Sequence, residues 1–314
     1  MRGIIFGEDL GVDYGPNSAI APLLLRSPIH LVRVHDRNPN FFPQFSFLTR
    51  YLKEMKEHHF VLIHGDCHGA WCWYKVATIL RSSFRKVTAL DMAACGINPD
   101  QIDEIGSITD YLKPLLVFME GLSEEERVIL VGHSRGGIDI SIAMEKFPGR
   151  IAAAVFVTAA MPGPDLDLPT LTKEFERRLD SPMDNKYTYG EAKDEPPTSY
   201  LLGPDFLASK LYQLSPPEDL TLAKFLIRPS PLYRDFHCQS DETVLTKENY
   251  GSVPRVYIVC DEDNLMKEDM QRWIIRHNQP HEVKVINGSD HMAMISKPHD
   301  LSSLLLEIAD NYCR

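Results

Sequence analysis

The sequence predicts an α/β protein built on a mostly parallel, doubly wound sheet. Three observations carry that expectation. Short all-apolar segments recur along the chain, each long enough for one buried strand. Stretches with helical spacing alternate with them. One apolar segment, Val128-Ile129-Leu130-Val131, runs into the turn Gly132-His133-Ser134-Arg135-Gly136 and from there directly into a helical pattern.

The core begins at His58. Phe60-Val61-Leu62-Ile63 reads as the first strand, followed by a loop rich in Gly and His from His64 to Trp73. Tyr74 to Leu80 reads as a helix and Lys86 to Asp91 as the next strand. Ile108 to Met119 has helical spacing, with Pro114 inside it as a candidate kink. After the strand at 128–131 and its turn, Ile138 to Phe147 reads as a helix that stops before Pro148-Gly149. Ile151 to Val157 is an all-apolar strand.

From about 161 to 248 the alternation breaks, prolines cluster and the helical pieces are short. An insertion of this length between sheet strands predicts a helical or irregular cap over a site, not mere packing. The sheet resumes with Arg255 to Cys260 and ends with Glu282 to Ile286. Gln271 to His277 reads as helical, and Leu301 to Tyr312 closes the chain as an amphipathic helix.

Residues 1–57 follow a different pattern, with Pro and Asn throughout and only short apolar runs. They predict an N-terminal extension, poorly ordered or loosely docked, with one short helix from Ser46 to Lys56. Glu8, Asp9, Asp13 and Asp36 argue against a plastid transit peptide, because such peptides are poor in acids.

Composition narrows the function. The chain has 314 residues with 33 basic and 44 acidic side chains, a formal net charge of −11. That disfavours nucleic acid and anionic membrane surfaces as partners. The six cysteines have neither a C-x-x-C pair nor zinc spacing, which predicts reduced thiols and a cytoplasmic protein. No apolar run approaches the roughly 20 residues of a membrane span.

The chemistry is read from three strand ends. Gly132 to Gly136 matches G-x-S-x-G in the strand–turn–helix context of a nucleophile elbow, where flanking glycines leave room for the strained serine. Asp263 follows the strand ending at Cys260, and His291 follows the strand ending at Ile286. The order Ser, Asp, His fits a triad: Ser134 attacks, His291 takes its proton, and Asp263 orients the imidazole. Read singly, Asp263 also suits a helix N-cap and His291 a satisfied core histidine. The His64–Trp73 loop offers backbone N–H groups, and with the N–H of Arg135 it would complete an oxyanion hole. A phosphate loop is the competing reading, but G-x-x-x-x-G-K-[ST] is absent. His68 and His133 read as packed or hydrogen-bonded near the site, not as metal ligands.

Several stretches together resemble the plant methylesterase family of α/β hydrolases: H-F-V-L-I-H-G-D-C-H-G-A-W-C-W-Y-K, V-I-L-V-G-H-S-R-G-G, L-G-P-D-F-L-A-S-K-L-Y-Q-L-S-P-P-E-D-L, R-V-Y-I-V-C-D-E-D and D-H-M-A-M. That family includes salicylate and jasmonate methyl esterases, polyneuridine aldehyde esterase and hydroxynitrile lyases. The resemblance runs from His58 to the C-terminus. It implies the α/β-hydrolase fold, a small-molecule ester substrate and no cofactor or metal. It also implies a catalytic triad of Ser134, Asp263 and His291, with backbone N–H groups of Asp66 and Arg135 as the oxyanion hole. His64, Gly65, His133 and Met292 are the implied substrate contacts; the sequence leaves the oligomeric state open, with a homodimer as one alternative.

Four positions qualify the resemblance. Position 66 is small or aliphatic in relatives, but here it is Asp, and position 135 is unusual as Arg. The two are expected to form an ion pair lining the pocket. Met292 stands where the lyases carry Lys, which argues against lyase activity. Ser181-Pro182-Met183-Asp184 lacks the Trp that relatives bring over the substrate, which weighs against a flat aromatic acyl group. The expected function is hydrolysis of a small metabolite methyl ester. The alternatives are an alkaloid-type esterase whose product decarboxylates, and a low-turnover binding protein on the same fold.

Overall fold

The computed structural model describes residues 58–190, 196–233 and 240–313. The expectations for residues 1–57 lie outside the described residues. Six strands form one sheet: β1 (His59–Ile63), β2 (Lys86–Leu90), β3 (Val128–His133), β4 (Ile151–Val157), β8 (Arg255–Cys260) and β9 (Glu282–Ile286). Their order is β2-β1-β3-β4-β8-β9, and every pairing is parallel. β1, β3 and β4 are buried along their whole length, as central strands covered on both faces must be.

Helices α1 (Tyr74–Ser82), α2 (Ile108–Glu120) and α3 (Gly136–Lys146) connect the first strands. α2 starts at Ser107, whose side chain accepts from the Asp110 N–H, and it keeps Pro114 inside. α3 begins two residues earlier than its hydrophobic spacing suggested, because the turn after Ser134 passes straight into the helix. Two apolar clusters fill the layers. One packs α2 and α3 against one sheet face. The other packs α1 and the C-terminal helix against the opposite face.

The insertion is more ordered than its sequence predicts. It contains α4 (Leu168–Arg178), a three-stranded antiparallel sheet of β5 (Lys186–Tyr189), β6 (Pro197–Leu201) and β7 (Ser230–Pro231), and α5 (Pro217–Leu226). Its strands are short and hold Pro197 and Pro231, so neither length nor alternation marked them. The sheet then resumes, with α6 (Glu268–His277), α7 (Ala293–Ser296) and α8 (Pro298–Tyr312) following its last two strands.

Side chains tie the cap to the core. Arg228 donates to the carbonyls of Gly96, Asn98 and Asp100. Asp219 of α5 accepts from Tyr74 Oη and Lys75 Nζ at 2.8 and 2.6 Å. Asp290 accepts from the Leu214 N–H and the Ser215 hydroxyl.

Candidate active site

Every component of the site leaves the carboxyl end of a sheet strand, where the chain turns away and exposes side chains to a crevice. Ser134 follows β3 with φ at +55°, a left-handed conformation that strains a non-glycine residue. Tertiary contacts hold it there. The Ser134 carbonyl accepts from the N–H groups of Gly137 and Ala160 at 3.1 and 3.0 Å. A Cβ at Gly132 would lie 2.6 Å from the Gly136 carbonyl oxygen, and one at Gly136 would lie 2.7 Å from the His64 carbonyl oxygen. Only glycine permits so close an approach of the chain to itself.

His291 Nε2 lies 2.9 Å from Ser134 Oγ, and its Nδ1 lies 2.7 Å from Asp263 Oδ2. Asp263 and His291 are both buried. Asp263 also accepts from the Thr158 hydroxyl on Oδ2, and from the N–H groups of Leu265 and Met266 on Oδ1. Four donors therefore fix the carboxylate, and that in turn fixes the imidazole. A hydroxyl, a base and an orienting acid in this chain are the parts of acyl-transfer chemistry.

The loop after β1 closes on the serine. A Cβ at Gly65 would lie 2.8 Å from Ser134 Cβ and 3.3 Å from its Oγ, so this backbone abuts the hydroxyl. Asp66 follows Gly65, and both line the cavity with Arg135 and His133. Arg135 Nε stands 3.6 Å from Asp66 Oδ1, the ion pair expected from the sequence. The guanidinium also lies 3.9 Å from the centre of the Tyr111 ring and 5.6 Å from that of Tyr233.

The nearby histidines are neutral supports. His133 Nε2 donates to the His291 carbonyl, and burial, then His291, drives its pKa well below normal. His68 donates from Nδ1 to the Asp66 carbonyl and accepts the Tyr212 hydroxyl on Nε2. Burial lowers its pKa to about 4.

Two implied substrate contacts fall elsewhere. His64 donates from Nδ1 to the Gly65 carbonyl and accepts the Met92 N–H on Nε2, so both ring nitrogens serve the loop. Met292 is fully buried in the core, its N–H donated to Asp290. Neither lines the cavity. Both neighbour a site residue in sequence, but the backbone directs them inward. Sequence reasoning missed Thr158, which follows β4, and Asp290, which precedes His291. Their positions at strand ends were the available signal.

The cavity over Ser134 measures about 240 Å³. Its walls are mainly aliphatic and come largely from the cap, with Leu168, Leu171, Leu179, Leu202, Phe175, Phe206, Tyr187 and Tyr200, and Leu265 adds to them from the loop after β8. No Trp stands among the described residues of the lining.

A parallel sheet in this order, with a serine on the β3 turn and its histidine and acid beyond later strands, defines an α/β hydrolase. The sequence profile described as the alpha/beta hydrolase family matches residues 60–304. Methyl jasmonate esterase 1 of Vitis vinifera is 56% identical over 260 residues, covering 82% of this chain and 99% of that one. Salicylic acid-binding protein 2 of Nicotiana tabacum is 46% identical over 263 residues, covering 83% and 100%. Among solved structures, tomato methylketone synthase I in complex with 2-tridecanone matches with a TM-score of 0.78 and 48% identity, covering 82% of this chain and 99% of that one. Polyneuridine aldehyde esterase matches with a TM-score of 0.76 and 41% identity, covering 81% and 100%. The chain belongs to the alpha/beta hydrolase family, and within it to the plant methylesterases.

Proposed function

We propose that this carboxylic ester hydrolase cleaves the methyl ester of a small plant carboxylic acid through an acyl-enzyme on Ser134. The observation that carries the reading is the unbroken chain Ser134 Oγ, His291 Nε2, His291 Nδ1, Asp263 Oδ2. Ser134 Oγ attacks the ester carbonyl carbon while His291 Nε2 takes its proton. Asp263 offsets the charge of the imidazolium. The N–H groups of Asp66 and Arg135 receive the oxyanion. Methanol leaves with the proton from Nε2. Water, deprotonated by the same nitrogen, then releases the acid and restores the serine.

The cavity walls favour an acyl group with an aliphatic or alicyclic body over a flat aromatic one. The Vitis vinifera relative's name makes methyl jasmonate the first ester to assay. No described helix is long and apolar enough to cross a membrane. The net charge of −11 fits an enzyme without a nucleic-acid partner, and the scattered cysteines fit a cytoplasmic one.

The test combines a panel of methyl esters, aliphatic and aromatic, with a fluorophosphonate probe. Turnover and labelling that both vanish in Ser134→Ala support the reading. Tight binding of a free acid by a protein that labels but turns over no ester favours the binding-protein alternative instead.

A further inference from the structure

We propose that the side chain of Asp66 is a specificity residue: it selects esters whose acyl part carries a hydroxyl group on the first or second carbon beyond the carbonyl. The proposal deepens the hydrolytic reading above and rests on it. The aliphatic walls of the cavity read the size and shape of an acyl group but give it no directional contact. A carboxylate at the reacting end supplies one.

The loop after β1 holds Asp66 at that end. A Cβ at the preceding Gly65 would lie 2.8 Å from Ser134 Cβ, so the chain passes directly beside the nucleophile. The residue is anchored on its other side as well. Its carbonyl accepts from His68 Nδ1 at 2.7 Å, and the Cys67 N–H donates to the Ser230 hydroxyl at 2.7 Å. Asp66 lines the cavity, and 26% of its side chain remains exposed. A carbonyl oxygen about 3 Å from the Asp66 N–H leaves a hydroxyl one or two carbons away within reach of the same residue's carboxylate.

Neighbouring polar groups are engaged elsewhere. His68 accepts the Tyr212 hydroxyl on Nε2, and His133 Nε2 donates to the His291 carbonyl. The Asp66 carboxylate has Arg135 Nε 3.6 Å from Oδ1 and the Tyr200 hydroxyl as a second partner, and Oδ1 accepts no hydrogen bond. A carboxylate has about four acceptor sites, so it has capacity for a substrate donor. Arg135 already places a positive charge beside it, which favours a neutral hydroxyl over an ammonium group. A plain aliphatic ester leaves the carboxylate opposing the oxyanion. A hydroxyl that donates to it offsets part of that charge where the oxyanion develops, so the gain reaches kcat as well as KM.

The experiment uses methyl hexanoate, its derivatives with a hydroxyl on the second or third carbon, and the methyl ethers of those derivatives. The ethers keep the electron withdrawal and lack the donor. Preferences are taken as kcat/KM ratios within each protein, so a general effect of substitution on the oxyanion donor cancels. The wild type should favour one hydroxy ester at least about tenfold over both its ether and the plain ester. In Asp66→Ala both ratios should fall below about threefold, with Asp66→Asn between, because its amide oxygen still accepts. The plain ester is the smaller molecule, so a fall against it does not come from relief of crowding. The same esters are also tested for protection of Ser134 from a fluorophosphonate probe, which reads the preference without turnover. Protection that depends on the hydroxyl and on Asp66, with no ester hydrolysed by the wild type, refutes the esterase reading and keeps the selectivity. Absence of a hydroxyl preference in the wild type in both assays overturns the proposal, as does a preference that both variants retain in full.

Discussion

The Thr158 hydroxyl donates to Oδ2 of Asp263, the same oxygen that lies 2.7 Å from His291 Nδ1. Thr158 is buried at the end of β4, between the strands that deliver Ser134 and Asp263. It makes the acid's orientation a property of the sheet as well as of the loop after β8.

Thr158→Val keeps the shape and removes the donor. It is expected to lower kcat roughly fivefold with KM nearly unchanged, and to cost about 1–2 kcal/mol of stability. Steady-state kinetics and urea unfolding measure the two effects separately. An unchanged kcat beside a lost kilocalorie would assign Thr158 to packing alone.

The elbow tolerates no side chain at Gly137, where a Cβ would lie 1.9 Å from the Ala160 carbonyl oxygen. Gly149, with nothing within 4 Å, is the control. Gly137→Ala should destabilise by more than about 3 kcal/mol or prevent folding, while Gly149→Ala should lie within about 1 kcal/mol of the wild type. Thermal melts of the pair decide it.

Asp290 links cap and catalytic loop. Its Oδ2 accepts from the Leu214 N–H and the Ser215 hydroxyl, and its Oδ1 accepts from the Met292 N–H. Asp290→Ala should let the segment carrying His291 drift, lowering kcat on the order of tenfold to a hundredfold. Ser215→Ala should act in the same direction but more weakly. The double variant should lose less than the sum, since both changes break one contact.

The stability of the chain should also depend on Asp139. Burial pushes its carboxyl up to about 7 in the folded state, against about 4 in the unfolded chain. Between those values the folded state binds more protons than the unfolded one. Stability is therefore greatest below about pH 4 on this account and falls as pH rises toward 7, by a few kcal/mol at most. Asp139→Asn does not titrate, so its melting temperature relative to wild type should rise from about pH 5 to about pH 8 and then level. A difference that stays constant with pH would place the carboxyl's titration outside this range.

Much of this protein was legible along the chain. The central strands β1, β3 and β4 announce themselves because buried parallel strands are continuous apolar runs. Ser134 announces itself because close backbone approach demands glycine at 132 and 136, and Asp263 and His291 because strand ends bring distant residues to one edge. The short cap strands beginning at Pro197 and holding Pro231 were not legible, since strands of two to five residues carry no period.

The chain by itself therefore determined the sheet, the elbow and the identity of the three residues in line, because local pattern and chain order suffice for those. Only the tertiary structure decided that Thr158 and Asp290 brace the line and that His64 and Met292 turn inward. Those outcomes depend on distances of a few ångströms between residues far apart in sequence, and such distances are set by how whole layers pack.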